Sequence, residues 1–309
     1  MALMLEVQNL IVQFNRFRAV DNISFSVTPD SGITALLGPN GAGKTTTMRA
    51  ITGYLQPSAG QVTVAGILRT DSESEISIKR KIGYLPETTP LFNEMLVSEF
   101  LEFSGRSRGL STDDLEESAR YMIDRLELGS HFYTPLGLLS KGFRQRVALA
   151  ATLLHSPEVI ILDEPTSGLD PNQIQSIRSL IKEFKGKRTV ILSTHILQEV
   201  DDICDRAIIV HRGKVVADRL VTELKDSNRF RLIARDETNS DLTDRLKSID
   251  GVVSVERIVD ESTWHHYNCS IQIAAEVFFS KLRNQPIEIR EFAQMSRSLD
   301  EIFRELTIS

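Results

Sequence analysis

The chain has 309 residues, 41% hydrophobic and 25% charged, with a formal net charge of −6. That is enough for two domains with sizeable cores, and the acidic balance argues against a broad nucleic-acid-binding face. Two widely separated cysteines, Cys204 and Cys269, leave no disulfide framework or cysteine metal site and point to a reducing cytoplasm. The opening stretch MALMLEVQNLIVQF lacks a basic flank and a continuous apolar run, so no signal peptide is expected. No apolar run approaches the roughly 18 residues that span a bilayer, so any spanning segment is expected in another chain.

In chain order, LEVQNLIVQF and NISFSV alternate apolar and polar residues and predict strands within 3–27. GITALLG predicts a buried strand ending at Gly38, and KTTTMRAITGYL a helix after a glycine-rich turn. PSAGQVTVAG reads as a turn and a strand, and KIGYLPE as a further short strand. Over about 95–156 the pattern becomes helical; DDLEESARYMIDRL puts Leu115, Ala119, Met122 and Leu126 on one helix face. VIILDE (159–164) and RTVILSTH (188–195) predict buried strands with a helix between them. This order fits a mostly parallel α/β core with a helical insertion.

After about residue 224 the order reads strand, helix, strand, strand, helix, strand, helix. Its first six elements match a ferredoxin-like split βαβ. The expected organisation is therefore an α/β domain over 1–224, with its helical subdomain at about 95–156, and a small α+β domain over 225–309. Trp264, His265 and His266 carry no motif and read as strand residues.

Gly38-Pro39-Asn40-Gly41-Ala42-Gly43-Lys44-Thr45 matches G-x-x-x-x-G-K-[ST] between a buried strand and a helix. Glycines let successive N–H groups turn inward as an anion nest, and the helix aims its positive end at the same point. Lys44 then reaches the β/γ-phosphates and the Thr45 hydroxyl ligates Mg²⁺, with Thr46 continuing the cradle. A nucleoside triphosphate site is expected. Downstream, four apolar residues lead into Asp163 and Glu164. A strand ending this way delivers both carboxylates to the sheet edge where α/β ligands bind. Asp163 suits Mg²⁺, and Glu164 suits a general base acting on water.

With these motifs in hand, residues 3 to about 220 resemble the ATP-binding subunit of an ABC transporter. LSKGFRQR (139–146) resembles the family's signature loop, SGLD (167–170) its D-loop and STH (193–195) its switch histidine. The resemblance implies a P-loop ABC ATPase fold and ATP hydrolysis with Mg²⁺. Two subunits, a homodimer or a pair with a homologous ATPase, would sandwich each ATP between one P-loop and the other's signature loop. Lys44, Glu164 and His195 would be catalytic. Ser140, Lys141, Gly142 and Asp170 would act across the interface. Phe14, with Phe17 as a nearby rival, would stack on adenine.

Two departures stand out. The signature reads LSKGF where the family usually has LSGGQ, and Glu87 replaces a glutamine that senses Mg²⁺ and contacts the membrane partner. Glu87 is therefore a candidate metal ligand with Thr45 and Asp163.

IGYLPETTPLFNEMLVSEFLEF, the signature region and the C-terminal extension resemble the ABC-2 exporter branch, especially gliding-motility-associated ATPases. That resemblance implies integral membrane permease partners and no nucleic acid. It also implies a cytoplasmic subunit peripheral to the inner face of the cell membrane, with a socket for the partner's helix at 84–103 and the helices beyond. A soluble non-transport ABC ATPase and a nucleotide-dependent regulator are the rival expectations.

Overall fold

The computed structural model describes residues 3–88, 90–225, 228–238, 240–258, 264–295 and 297–307. The chain divides into two compact units, one running to Val221 and one from Thr222 to Glu305.

The first unit opens with the hairpin β1 (Leu5–Phe14) and β2 (Phe17–Val27), whose turn places Phe14 opposite Phe17. β3 (Ile33–Leu37) leads through the glycine-rich turn into α1 (Lys44–Ile51). This helix is shorter than its pattern predicts. Thr52 closes it by donating its N–H to the Met48 carbonyl, and Gly53, at φ +78°, reverses the chain.

β4 (Ala59–Val64), β5 (Ile67–Leu68), α2 (Ser72–Lys81) and β6 (Ile82–Leu85) follow. The helical insertion contains α3 (Val97–Ser107), α4 (Thr112–Arg125) and α5 (Lys141–Leu153). Leu115 and Met122 of α4 and the following Leu126 are buried. The remaining elements are β7 (Val159–Asp163), α6 (Pro171–Glu183), β8 (Thr189–Thr194), α7 (Leu197–Ile203), β9 (Arg206–His211) and β10 (Lys214–Leu220).

Two sheets result. One is antiparallel, in the order β2-β1-β4-β5; the other runs β10-β9-β3-β8-β7-β6 and is parallel except for the β9–β10 pair. Every residue of β3, β7 and β8 is buried, as expected for parallel strands covered on both faces. Four neighbouring parallel strands, β3, β8, β7 and β6, thus end along one sheet edge.

α8 (Val221–Lys225) spans the division between the units. The second unit contains β11 (Arg229–Arg235), α9 (Thr243–Lys247), β12 (Val252–Ile258), β13 (His265–Ile271), α10 (Ala275–Arg283) and β14 (Glu288–Gln294). α11 (Leu299–Thr307) comes last. Its sheet is antiparallel throughout in the order β12-β13-β11-β14, the arrangement of a split βαβ. Phe230, Tyr267, Phe278 and Leu282 are in its core, where the Tyr267 hydroxyl accepts the Leu242 N–H at 2.8 Å. His265 and His266 lie in β13 as expected, but Trp264 precedes the strand, with the Arg235 guanidinium 4.4 Å from its ring.

Among the described residues no helix is long and apolar enough to cross a membrane. Cys204 and Cys269 are buried, unpaired thiols. Phe278 is fully buried against Phe230 and Phe292, so Phe278→Ala should destabilise the second unit by about 3–5 kcal/mol. Denaturant unfolding followed by a probe in that unit checks this; an unchanged midpoint would mean the site can collapse around the loss.

Candidate functional site

The site begins with the backbone after β3. Gly41 and Gly43 have φ of +80° and +105°, in the left-handed region that glycine tolerates. Gly43 has a second reason to lack a side chain: a Cβ there would lie 2.6 Å from the Ala19 carbonyl oxygen. The loop is braced from the β9–β10 turn, where the Gly213 N–H donates to the Ala42 carbonyl at 2.9 Å and the Gly213 carbonyl accepts from the Asp21 N–H at 2.8 Å. The Lys44 ammonium folds back to donate to the carbonyls of Gly38 and Pro39, at 2.8 and 3.3 Å. Burial lowers its pKa, opposed chiefly by the Glu164 carboxylate 3.6 Å away.

β7 ends in Asp163, which is completely buried. Its Oδ1 accepts from the Thr45 hydroxyl at 3.1 Å and from the Ser193 hydroxyl. Its Oδ2 has no partner. Burial pushes this carboxyl above its ordinary range, against the lowering effect of the Ser193 and Thr45 hydroxyls.

Glu164 turns sharply out of the strand at φ +49°, a strained conformation for a residue with a side chain. Its N–H donates to the Ser193 carbonyl and hydroxyl oxygens, at 3.2 and 3.1 Å. Its carboxylate lies 3.0 and 2.9 Å from His195 Nδ1.

A cavity of about 580 Å³ covers these groups. Asn40, Gly41, Ala42, Gly43, Lys44, Thr45, Thr46, Glu87, Glu164 and His195 line it, with Phe14 and Phe17 at its aromatic side. Both phenylalanines are largely exposed, at 47% and 65%, so neither is a core residue and each presents a free ring face to a planar ligand. Gly38 and Pro39 contribute through their carbonyls to Lys44. Ser167 also faces the cavity and Ser193 holds Asp163 from beneath; the sequence reading had assigned a role to neither. The signal for Ser193 was its place at a strand end two residues before His195.

Ser140, Lys141, Gly142 and Asp170 are not among the residues lining this cavity. They gather instead where α5 meets α6. Ser140 caps α5, accepting the Phe143 N–H at 3.3 Å, and Asp170 caps α6, accepting from Asn172 and Gln173 at 3.0 Å each. A Cβ on Gly168 would fall 2.1 Å from the Lys141 ammonium, and one on Gly142 would fall 2.3 Å from the Gln173 amide. Phe143, which replaces the usual glutamine, packs its ring 4.1 Å from that of His131.

Oxygen donors, a buried unpartnered carboxylate oxygen and the adjacent Thr45 hydroxyl suit a hard divalent cation. No cluster of three or more His, Cys, Asp or Glu able to hold a metal occurs among the described residues. The set therefore fits an Mg²⁺ that takes one or two protein ligands and completes its shell with phosphate and water.

A glycine cradle, a buried lysine and strand-end carboxylates on a parallel sheet define a P-loop nucleoside triphosphatase. Comparison with known proteins carries this further. The ABC transporter family model matches residues 20–167. Over 226 residues the chain is 36% identical to the uncharacterized ABC transporter ATP-binding protein YxlF of Bacillus subtilis, covering 73% of this chain and 74% of that one. It is 31% identical to the daunorubicin/doxorubicin resistance ATP-binding protein DrrA of Streptomyces peucetius, over 98% of this chain and 92% of that one. A solved ATP-binding subunit of an ABC transporter superposes with a TM-score of 0.67 at 30% identity, covering 72% of this chain and 92% of that chain. The chain belongs to the ABC transporter family as an ATP-binding subunit, and it is an ATPase.

The raised pKa of Asp163 fixes a sign. Between the ordinary and the raised value the folded chain binds more protons than the unfolded chain, so stability falls as pH rises through that window. Asp163→Asn removes the buried charge. Without nucleotide the variant should melt above wild type at about pH 7, by a margin that shrinks toward about pH 4. A lower melting temperature at neutral pH would mean that the hydroxyl hydrogen bonds outweigh the burial.

Proposed function

We propose that this chain is the ATPase subunit of an ABC-2 type exporter, working as a pair that closes on two ATP molecules and reopens after hydrolysis. The observation that carries the mechanism is the Glu164 carboxylate, held between His195 Nδ1 at 2.9–3.0 Å and Lys44 Nζ at 3.6 Å on the cavity wall. In this reading the Gly41–Gly43 backbone and the α1 N-terminus hold the β- and γ-phosphates, and Lys44 leaves its carbonyl contacts for the γ-phosphate. Phe14 or Phe17 stacks on adenine. Glu164 takes the proton of the attacking water, and His195 orients Glu164 by donating from Nδ1.

Thr45, Asp163 and Glu87 would hold Mg²⁺, which when bound neutralises developing phosphate charge. Ser140, Lys141, Gly142 and Asp170 complete the site of a second copy or a homologous ATPase. Their separation from the chain's own nucleotide cavity supports that assignment.

The exporter branch rests on the sequence motifs and on the likeness to DrrA, which extends through the C-terminal unit. The gliding-associated resemblance rests on the motifs alone. The partners are integral membrane permease subunits, placing the chain on the cytoplasmic face. The exposed Phe92 and Phe103, edge to face at 5.9 Å, support a socket in 84–103, of which Thr89 lies outside the described residues.

The test is Mg²⁺-dependent ATP hydrolysis against protein concentration for wild type and Glu164→Gln. Activity should rise faster than linearly. The variant should lose about 10²–10⁴-fold in kcat and accumulate as an ATP-bound dimer. Strictly linear activity would remove the paired site, and unaltered hydrolysis by the variant would remove Glu164 as base.

A further inference from the structure

α7 begins two residues after His195 and carries a carboxylate that the reaction does not use. Glu199 is completely buried, as is its neighbour in space Thr166 at 3% exposure. Glu199 Oε1 accepts the Thr166 hydroxyl at 2.9 Å, while Oε2 has no partner. Burial pushes this carboxyl above its ordinary range, opposed by the Thr194 and Thr166 hydroxyls. An unsatisfied buried oxygen is costly, and an apolar side chain would fill the space without that cost.

What the carboxylate joins gives the reason. Thr166 lies two residues after Glu164, in a turn closed by the Ser167 N–H on the Glu164 carbonyl at 3.1 Å. On the other side, Glu199 is tied back toward the switch: its N–H donates to the Ile196 carbonyl at 3.1 Å, and the Ile196 N–H donates to Thr194 Oγ1 at 3.0 Å. The covalent path from Glu164 to Thr166, the Thr166–Glu199 hydrogen bond, the path back to His195 and the His195–Glu164 hydrogen bond form one closed ring. Two side-chain hydrogen bonds close it. The strained Glu164 backbone, at φ +49°, is one of its corners.

We propose that Glu199 is a positioning residue for ATP hydrolysis, clamping the turn that carries Glu164 to the helix that follows His195 so that base and histidine keep their register. The proposal rests on the reading of Glu164 as the base. Breaking the ring at Thr166–Glu199 leaves the P-loop intact but lets Glu164 and His195 drift. A displacement of about 1 Å at a reacting group can cost on the order of 10²-fold in rate.

The experiment measures kcat, KM for Mg-ATP and melting temperature for Glu199→Ala, Glu199→Gln, Thr166→Val and the double variant Glu199→Ala/Thr166→Val, with Glu164→Gln alongside. Glu199→Ala and Thr166→Val should each lower kcat by at least about tenfold with KM within about twofold, the pattern of an interaction expressed in the transition state. Glu199→Gln keeps an acceptor for Thr166 and should stay within about threefold of wild type. The double variant should be no worse than the poorer single one, because both break the same bond. If Glu199→Ala fails to fold, Thr166→Val, which removes only a hydroxyl, carries the test alone.

Wild-type kcat in the ring-breaking variants, or effects that multiply in the double variant, would overturn the clamp. So would losses that track melting temperature with KM rising in step. Hydrolysis surviving in Glu164→Gln would instead remove the base assignment, which separates the two failures.

Discussion

At the carboxyl end of β7 the Asp163 carboxylate is sealed from solvent, accepts two hydroxyl hydrogen bonds on one oxygen and none on the other. A buried charge held only by neutral donors is unfavourable by itself, by about 1–3 kcal/mol for each unmet polar atom and more when charged. The surroundings reduce that penalty without removing it. Thr45 comes from the P-loop helix and Ser193 from the end of β8, so satisfying half of Asp163 already ties three separate segments together. The other half is left for something that arrives from outside. The raised pKa is the electrostatic trace of that incompleteness.

The same incompleteness recurs above it. Lys44 is buried and spends its charge on two backbone carbonyls and a carboxylate 3.6 Å away, weak substitutes for a polyphosphate. Glu164 accepts a left-handed backbone to bring its carboxylate over the cavity. These penalties fall at one sheet edge, where β3, β8, β7 and β6 end. The strands behind them are wholly buried Val, Ile and Leu, and their packing is what a strained edge can lean on.

Much of this was legible in the sequence because local patterns carried it. Uninterrupted apolar runs named β3, β7 and β8, and the glycine spacing named the cradle with its lysine and threonine. The alternating C-terminal runs yielded the order of the split βαβ. What stayed hidden depends on contacts between segments far apart in sequence. Ser193 and Asp163 are thirty residues apart, and Thr166 and Glu199 thirty-three; neither pair has a spacing signature. Gly53 ended α1 early through its backbone angle, although the helical pattern continued past it. Phe14 and Phe17 could be core or surface by pattern, and only the hairpin's place beside the cavity shows both rings exposed.

The two signature departures look different once packing is included. A lysine for glycine at 141 and a phenylalanine for glutamine at 143 would read separately as an added charge and a lost polar group. In three dimensions Lys141 lays its ammonium over Gly168, which a Cβ would displace, and Phe143 turns to a ring contact with His131. The substitutions thus give the start of α5 contacts on both sides within its own chain, one to the turn before α6 and one to the segment before α5. A loop anchored this way loses less freedom when it meets a ligand than one held by its cap alone. The lost glutamine contact and the gained rigidity act in opposite directions on the same step, so the departures need not weaken the site they modify.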